Sequence, residues 1–214
     1  METVVKLAVA EIVGLKVDNS QVAYEKILAY ADEYWQQYHD IAIGAVPGIE
    51  YARNLFKKIG IDPTKRRPSS EALLRRALKQ KGFFSINNLV DIGNWCSLEY
   101  LLPICVYDGS NVSGKLGARL GNVGEGYIAI DGKYLDLSGR YLVFDKEGAI
   151  GSPIKDSMRT RVTETTQEAV LLIYSPEEIS DIQLEKYLAT FVSRVLAECG
   201  GNLLNSEIIK VVLN

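Results

Sequence analysis

Pro103 separates two textures of sequence. Before it, apolar residues recur at intervals of three and four. After it come short alternating runs, divided by Asp108-Gly109, Ser113-Gly114, Asp131-Gly132 and Ser138-Gly139. The first period is that of amphipathic helices, and the second is that of strands joined by tight turns. Helices and strands that are segregated rather than regularly alternating define an α+β chain.

The spacing predicts one or two strands over residues 3–17, then a helix from a cap at Asn19 or Ser20 to His39. A second helix runs from Gly48 to Gly60. The loop GIDPTKRRPSS follows, because Asp62-Pro63 and Arg67-Pro68 each force the preceding residue out of helical geometry. Ser69 or Ser70 caps a third helix, which Gly82 closes. A fourth, from Ser85 to Leu102, buries Ile86, Leu89, Val90 and Gly93, and small Gly93 admits a close neighbour. Five or six strands follow Pro103. Glu168–Tyr174 reads as a fully buried strand. A helix capped by Ser175, with Pro176 in its first turn, ends at Gly200, and Ser206–Leu213 is a last strand.

The 214 residues are expected to form one domain, 1–214, large enough to fold without disulfide or metal. Three scattered cysteines and a single histidine leave no zinc-ligand pattern and no histidine-activated nucleophile beyond His39, itself placed at a helix end. No cofactor and no metal are expected. Apolar runs are too short for a membrane span, and a basic leader with a cleavage site is absent, so a cytoplasmic protein is expected.

Charge is distributed unevenly. The chain carries −3, but residues 52–81 hold ten basic and two acidic side chains, a balance of +8 that leaves −11 for the remainder. Such asymmetry points to a phosphate-bearing partner, the alternative being a solvated surface. Arg66 and Arg67 stand before a helix start, where free N–H groups also favour anions. They either clamp a phosphate or carboxylate, or pin the loop through acidic partners.

At DPTKRRPSSEALLRR, SINNLVDIGN and LLPICVYDG the chain resembles the tRNA-binding editing domain of the phenylalanyl-tRNA synthetase β subunit, the B3/B4 domain. The resemblance is clearest from Ile49 to Asp108, plausible through Tyr174, and closest to free-standing members. It implies a β-sandwich-like core of mostly antiparallel strands flanked by helices. It also implies hydrolysis of wrongly attached tyrosine from tRNA. No nucleotide-binding loop is present and nothing resembles the synthetase's catalytic domain, so aminoacylation is not expected. Cys105 stands where the synthetase carries a pocket histidine. Asp156-Ser157-x-Arg159-Thr160 matches a pattern of the free-standing members.

The expected roles follow. Asp156, Ser157, Arg159 and Thr160 form the catalytic loop, or else a surface turn. Asn87, Asn88, Asp91 and Asn94, one stripe of the fourth helix, line the substrate pocket with Cys105. The alternative makes the stripe a buried network that ties helix to sheet and Cys105 a small core residue. Lys65, Arg66, Arg67, Ser69, Ser70, Arg75, Arg76 and Lys79 meet tRNA. Loop, stripe and Cys105 are expected to converge on one pocket with Arg67 and Ser69 at its rim. The activity expected is hydrolytic editing in trans of a mischarged aminoacyl-tRNA, an ester hydrolase. The alternatives are a non-catalytic RNA-binding or amino-acid-sensing module, and a small-molecule enzyme unrelated to tRNA.

Overall fold

The computed structural model describes residues 3–213. In chain order the elements are β1 (Thr3–Val13), α1 (Val22–Tyr38), α2 (Ile49–Lys58), α3 (Ser69–Leu78), α4 (Asn88–Tyr100), β2 (Ile104–Asp108), β3 (Gly117–Leu120), β4 (Gly126–Ile128), β5 (Tyr134–Asp136), β6 (Tyr141–Asp145), β7 (Gly148–Gly151), β8 (Glu168–Pro176), α5 (Asp181–Cys199) and β9 (Asn202–Leu213). The class is α+β. One antiparallel sheet has the order β2-β8-β1-β9, a second β3-β6-β7, and β4-β5 form a hairpin arm.

Alternation along β1 assigns the two faces of the large sheet. Ala8, Ala10 and Ile12 point to α4 and α5, packing with Leu89, Ile92, Cys96 and Phe191. Val5, Leu7 and Val9 point the other way, to a core shared with α2 and with Tyr141, Val143 and Ile150 of the second sheet. Two sheets facing each other across that core make the sandwich, with α2 at its side, and α4 and α5 cover the outer face. A further apolar cluster joins α1, α2, α3 and the far side of α4.

Several boundaries differ from the sequence expectation. α1 begins after Gln21 without a side-chain cap, because Asp18 instead accepts from Ser20 N. α3 follows Pro68 with no serine cap, and Ser70 Oγ is buried without a partner. It ends at Leu78. Gln80, at φ 48°, takes the left-handed position expected of Gly82. α4 starts at Asn88, so Ile86 lies outside it and is 61% exposed rather than inward-facing. β8 runs on through Ser175 and Pro176, and the cap of α5 is Ser180, whose hydroxyl accepts from Gln183 N. Gly93 does meet a close neighbour: a Cβ there would lie 3.0 Å from Val106 Cγ2 of β2.

Candidate active site

The amide stripe sits on the helical side of the large sheet, and its polar atoms are largely engaged. Asn87 is the N-cap of α4, its Oδ1 accepting from Val90 N at 2.9 Å. Asn88 Oδ1 accepts from Leu89 N and Asp18 N, and its Nδ2 donates to Lys16 O, tying the segment after β1 to α4. Asp91, fully buried, accepts from Ser85 Oγ at 2.6 Å and from Ile86 N at 3.1 Å. Burial raises its pKa, and the two donors partly oppose the rise. Asn94 is half-buried. These residues organise the chain around the start of α4.

Cys105 points to the opposite face. On β2 the side chains alternate, so Ile104 and Val106 face α4 and α5, while Cys105 and Tyr107 enter the sandwich core beside Tyr174 and Tyr141. Asp156 arrives there from the loop after β7, held by pairing with Gly151 and by its carbonyl, which accepts from Ile130 N. Asp156 as a residue is partly exposed, yet its Oδ1 is shut off from solvent and, among the described residues, makes no hydrogen bond of ordinary geometry. Burial pushes its carboxyl up to about 6. The nearby Cys105 thiol and Tyr107 hydroxyl pull in the opposite direction. Burial, then the adjacent Asp156, pushes the Cys105 thiol well above its ordinary value, so it stays protonated at neutral pH and is no thiolate nucleophile. Tyr107 Oη lies 3.4 Å from Tyr174 Oη, and burial raises both phenols.

Gly151 makes this approach possible. A Cβ there would collide with Tyr107 Oη and lie 3.1 Å from Asp156 Oδ1. The other members of the Asp-Ser-x-Arg-Thr pattern are fasteners. Arg159 forms a bidentate pair with Asp145, at 2.8 and 3.0 Å, and also reaches Asn111 O and Glu147. Burial resists ionisation of Asp145, but Arg159 and the N–H groups of Ser113 and Glu147 outweigh it and lower its pKa. Ser157 Oγ accepts from Arg159 N, and Thr160 Oγ1 donates to Ile150 O.

The expected convergence therefore holds for one pair of elements. The 156–160 loop meets Cys105, but the large sheet stands between them and the α4 stripe. The basic residues divide in the same way. Lys65 and Arg66 line a groove of about 280 Å3 with Arg140, Ile59, Ile61 and Ile154, two residues from Asp156. Arg67 is exposed and Ser69 half-buried, and neither lines that groove. Arg75 and Arg76 belong to α3 and Lys79 caps its end, and α3 packs against α1 and α4.

Within the basic segment, Arg53 is taken up by buried Glu71 at 2.8 Å, and Lys58 by Glu177 and Glu178. Among the described residues no carboxylate lies within ion-pair range of its other cations. Sequence reasoning missed Tyr107, Gly151 and Arg140. Tyr107 was accessible by alternation from Cys105, whereas Gly151 and Arg140 depend on how the hairpins fold back.

The B3/4 domain family matches residues 51–195. The phenylalanine–tRNA ligase beta subunit of Xanthomonas euvesicatoria pv. vesicatoria is 30% identical over 124 residues, 56% of this chain and 15% of that protein. The same subunit of Streptomyces avermitilis is 34% identical over 117 residues, 52% of this chain and 14% of that protein. The chain thus spans about one-seventh of the length of these relatives. An N-terminal fragment of the phenylalanyl-tRNA synthetase beta subunit from Pyrococcus horikoshii superposes with a TM-score of 0.46 at 17% identity, over 54% of this chain and 40% of that one. No described helix is long and apolar enough to cross a membrane.

Proposed function

The chain belongs to the B3/4 domain family, and on that premise we propose that it hydrolyses mischarged aminoacyl-tRNA in trans, with Asp156 as general base. What supports this reading is the Asp156 carboxyl, enclosed and among the described residues unpartnered at Oδ1, with burial raising it to about 6; its loop also supplies Ile154 to the groove that holds Lys65, Arg66, Arg140 and Asp62. A base of that strength is substantially ionised at neutral pH and still accepts a proton readily. Lys65, Arg66 and Arg140 supply positive charge for the phosphates of the acylated 3′ end.

In the proposed step Asp156 takes a proton from water as the water oxygen bonds to the ester carbonyl carbon. The tetrahedral intermediate collapses, the bond from that carbon to the ribose oxygen breaks, and the proton passes to that oxygen. Free amino acid and uncharged tRNA leave. Ser157, Arg159 and Thr160 act as positioning residues that hold the loop. The cytoplasm is the compartment in which such a substrate is met, and one domain over 1–214 is the proposed unit.

A second reading, a non-catalytic RNA-binding or amino-acid-sensing module, is favoured by the engagement of Arg159 with Asp145 and by the protonated Cys105. Single-turnover deacylation across a panel of charged tRNAs, beginning with tyrosine on the phenylalanine acceptor, separates them. Release of at least one amino acid faster than the uncatalysed ester supports hydrolysis. Binding without release from any member supports the module.

A further inference from the structure

The turn after α3 carries a feature that the Asp156 site does not use. Residues 75–86, RRALKQKGFFSI, contain four cations and no acid. Gln80, at φ 48°, reverses the chain there and sends Phe83 and Phe84 back along α3. Arg76 donates to Gly82 O, and its guanidinium lies 5.9 Å from the Phe83 centroid and 5.2 Å from that of Phe84. Phe83 is buried against α1 and α3, whereas Phe84 is 78% exposed and Ile86 61%. Lys79 and Lys81, both exposed, flank the turn, and neither has a carboxylate in range among the described residues.

The arrangement is a stack left open on its outer side. The exposed Phe84 ring leaves apolar surface in water at no benefit to the fold, since Phe83 already provides the core contact. Its position beside a guanidinium that is fixed by a backbone carbonyl presents a flat aromatic face with a cation behind it, on a turn that carries Lys79 and Lys81, with Asp32 of α1 lining the adjoining cleft. Apolar protein partners suit such a ring, but they do not use two flanking unpaired lysines. A polyanion with flat aromatic units uses both.

We propose that Phe84, backed by Arg76, is a stacking platform for an unpaired nucleobase of a single-stranded nucleic acid, with Lys79 and Lys81 meeting the neighbouring phosphates. This rests on the preceding reading only for the class of partner. It places a second contact on the helical side of the molecule, across the large sheet from Asp156.

The test is binding of fluorescently labelled, uncharged ~10-nucleotide oligomers at ~50 mM salt, as RNA and as DNA. Blunt duplexes of the same sequence serve as controls, and a single 2-aminopurine reports stacking. The expected result is tighter binding of the single strands than of the duplexes, with quenching of the 2-aminopurine. Phe84→Leu, which keeps apolar volume but removes the ring, should weaken single-strand binding about tenfold and abolish quenching, while Phe84→Trp should preserve both. Preference for the RNA oligomer identifies RNA as the partner, and equal binding of DNA leaves any single strand acceptable; either supports the platform. Unchanged affinity and quenching in Phe84→Leu, with its melting temperature intact, overturn the proposal and leave the patch to a protein partner. Because the oligomers carry no ester, this assay succeeds or fails independently of hydrolysis.

Discussion

The two sides of the large sheet hold polar groups of similar composition in opposite states. On the helical side, Asn87, Asn88 and Asp91 accept from backbone N–H groups and a serine, so that the start of α4 is fixed to the segments before it. On the sandwich side, Asp156 places Oδ1 near a thiol and the Tyr107 phenol and, among the described residues, leaves it unbonded. A buried polar group with its partners provided stabilises one conformation. One left without them costs stability, and that cost persists where a function needs the group. The contrast separates a scaffold from a candidate site more sharply than residue type does.

The largest effect expected in the comparison lies at Arg159. Removing its guanidinium strands Asp145, whose side chain is fully buried, so Arg159→Ala should lose about 3–5 kcal/mol in urea unfolding. This differs from the expectation of a catalytic arginine, whose loss leaves melting nearly unchanged. A shift below ~1 kcal/mol, with hydrolysis abolished, would return Arg159 to the catalytic set.

Next is the pH dependence of stability. Asp156 has a folded pKa of about 6, above its unfolded value of ~3.9, so the folded state binds the proton more tightly. That contribution is complete below pH ~4 and is lost as pH rises through 6. Wild type should therefore fall by on the order of 2–3 kcal/mol relative to Asp156→Asn between pH ~4 and ~7. Parallel stability curves for the two proteins would show that Asp156 is not held in a desolvated site.

Smaller effects test the helical side. Asn87→Ala removes the cap of α4 and should cost about 1 kcal/mol, while half-buried Asn94 has no side-chain hydrogen bond among the described residues, and Asn94→Ala should be close to neutral. Equal losses at the two positions, measured by thermal melts, would mean that the stripe acts as one unit rather than as a cap and a bystander.

Much of the architecture was legible in the sequence because it is written in local periods. Of the dipeptides with glycine after Pro103, Asp131-Gly132 turns the β4–β5 hairpin, whereas the other three join strands that do not pair with each other, and the alternation of β1 and β8 survives into two buried faces. Boundaries were less legible where two local signals competed. Asn87, Ser85 and Asp91 all suit a helix start, and the choice depends on Asp91 folding back onto Ser85 and Ile86. The site was half legible. Cys105 and Asp156 were singled out and do meet, but the sheet that divides them from α4 is a consequence of long-range pairing between β2 and β8. That pairing sends alternate residues of β2 to opposite sides, and no local pattern states which side α4 will cover.

The most direct test of the Asp156 assignment is the single-turnover rate of ester hydrolysis on one mischarged tRNA across pH 5–8, for wild type and Asp156→Asn. The expected wild-type rate rises with pH through about 6 as the carboxyl ionises, and the asparagine variant, folded and still able to bind tRNA, is slower by ~100-fold or more. An Asp156→Asn protein that hydrolyses the ester at the wild-type rate, with the same pH profile, would contradict the account.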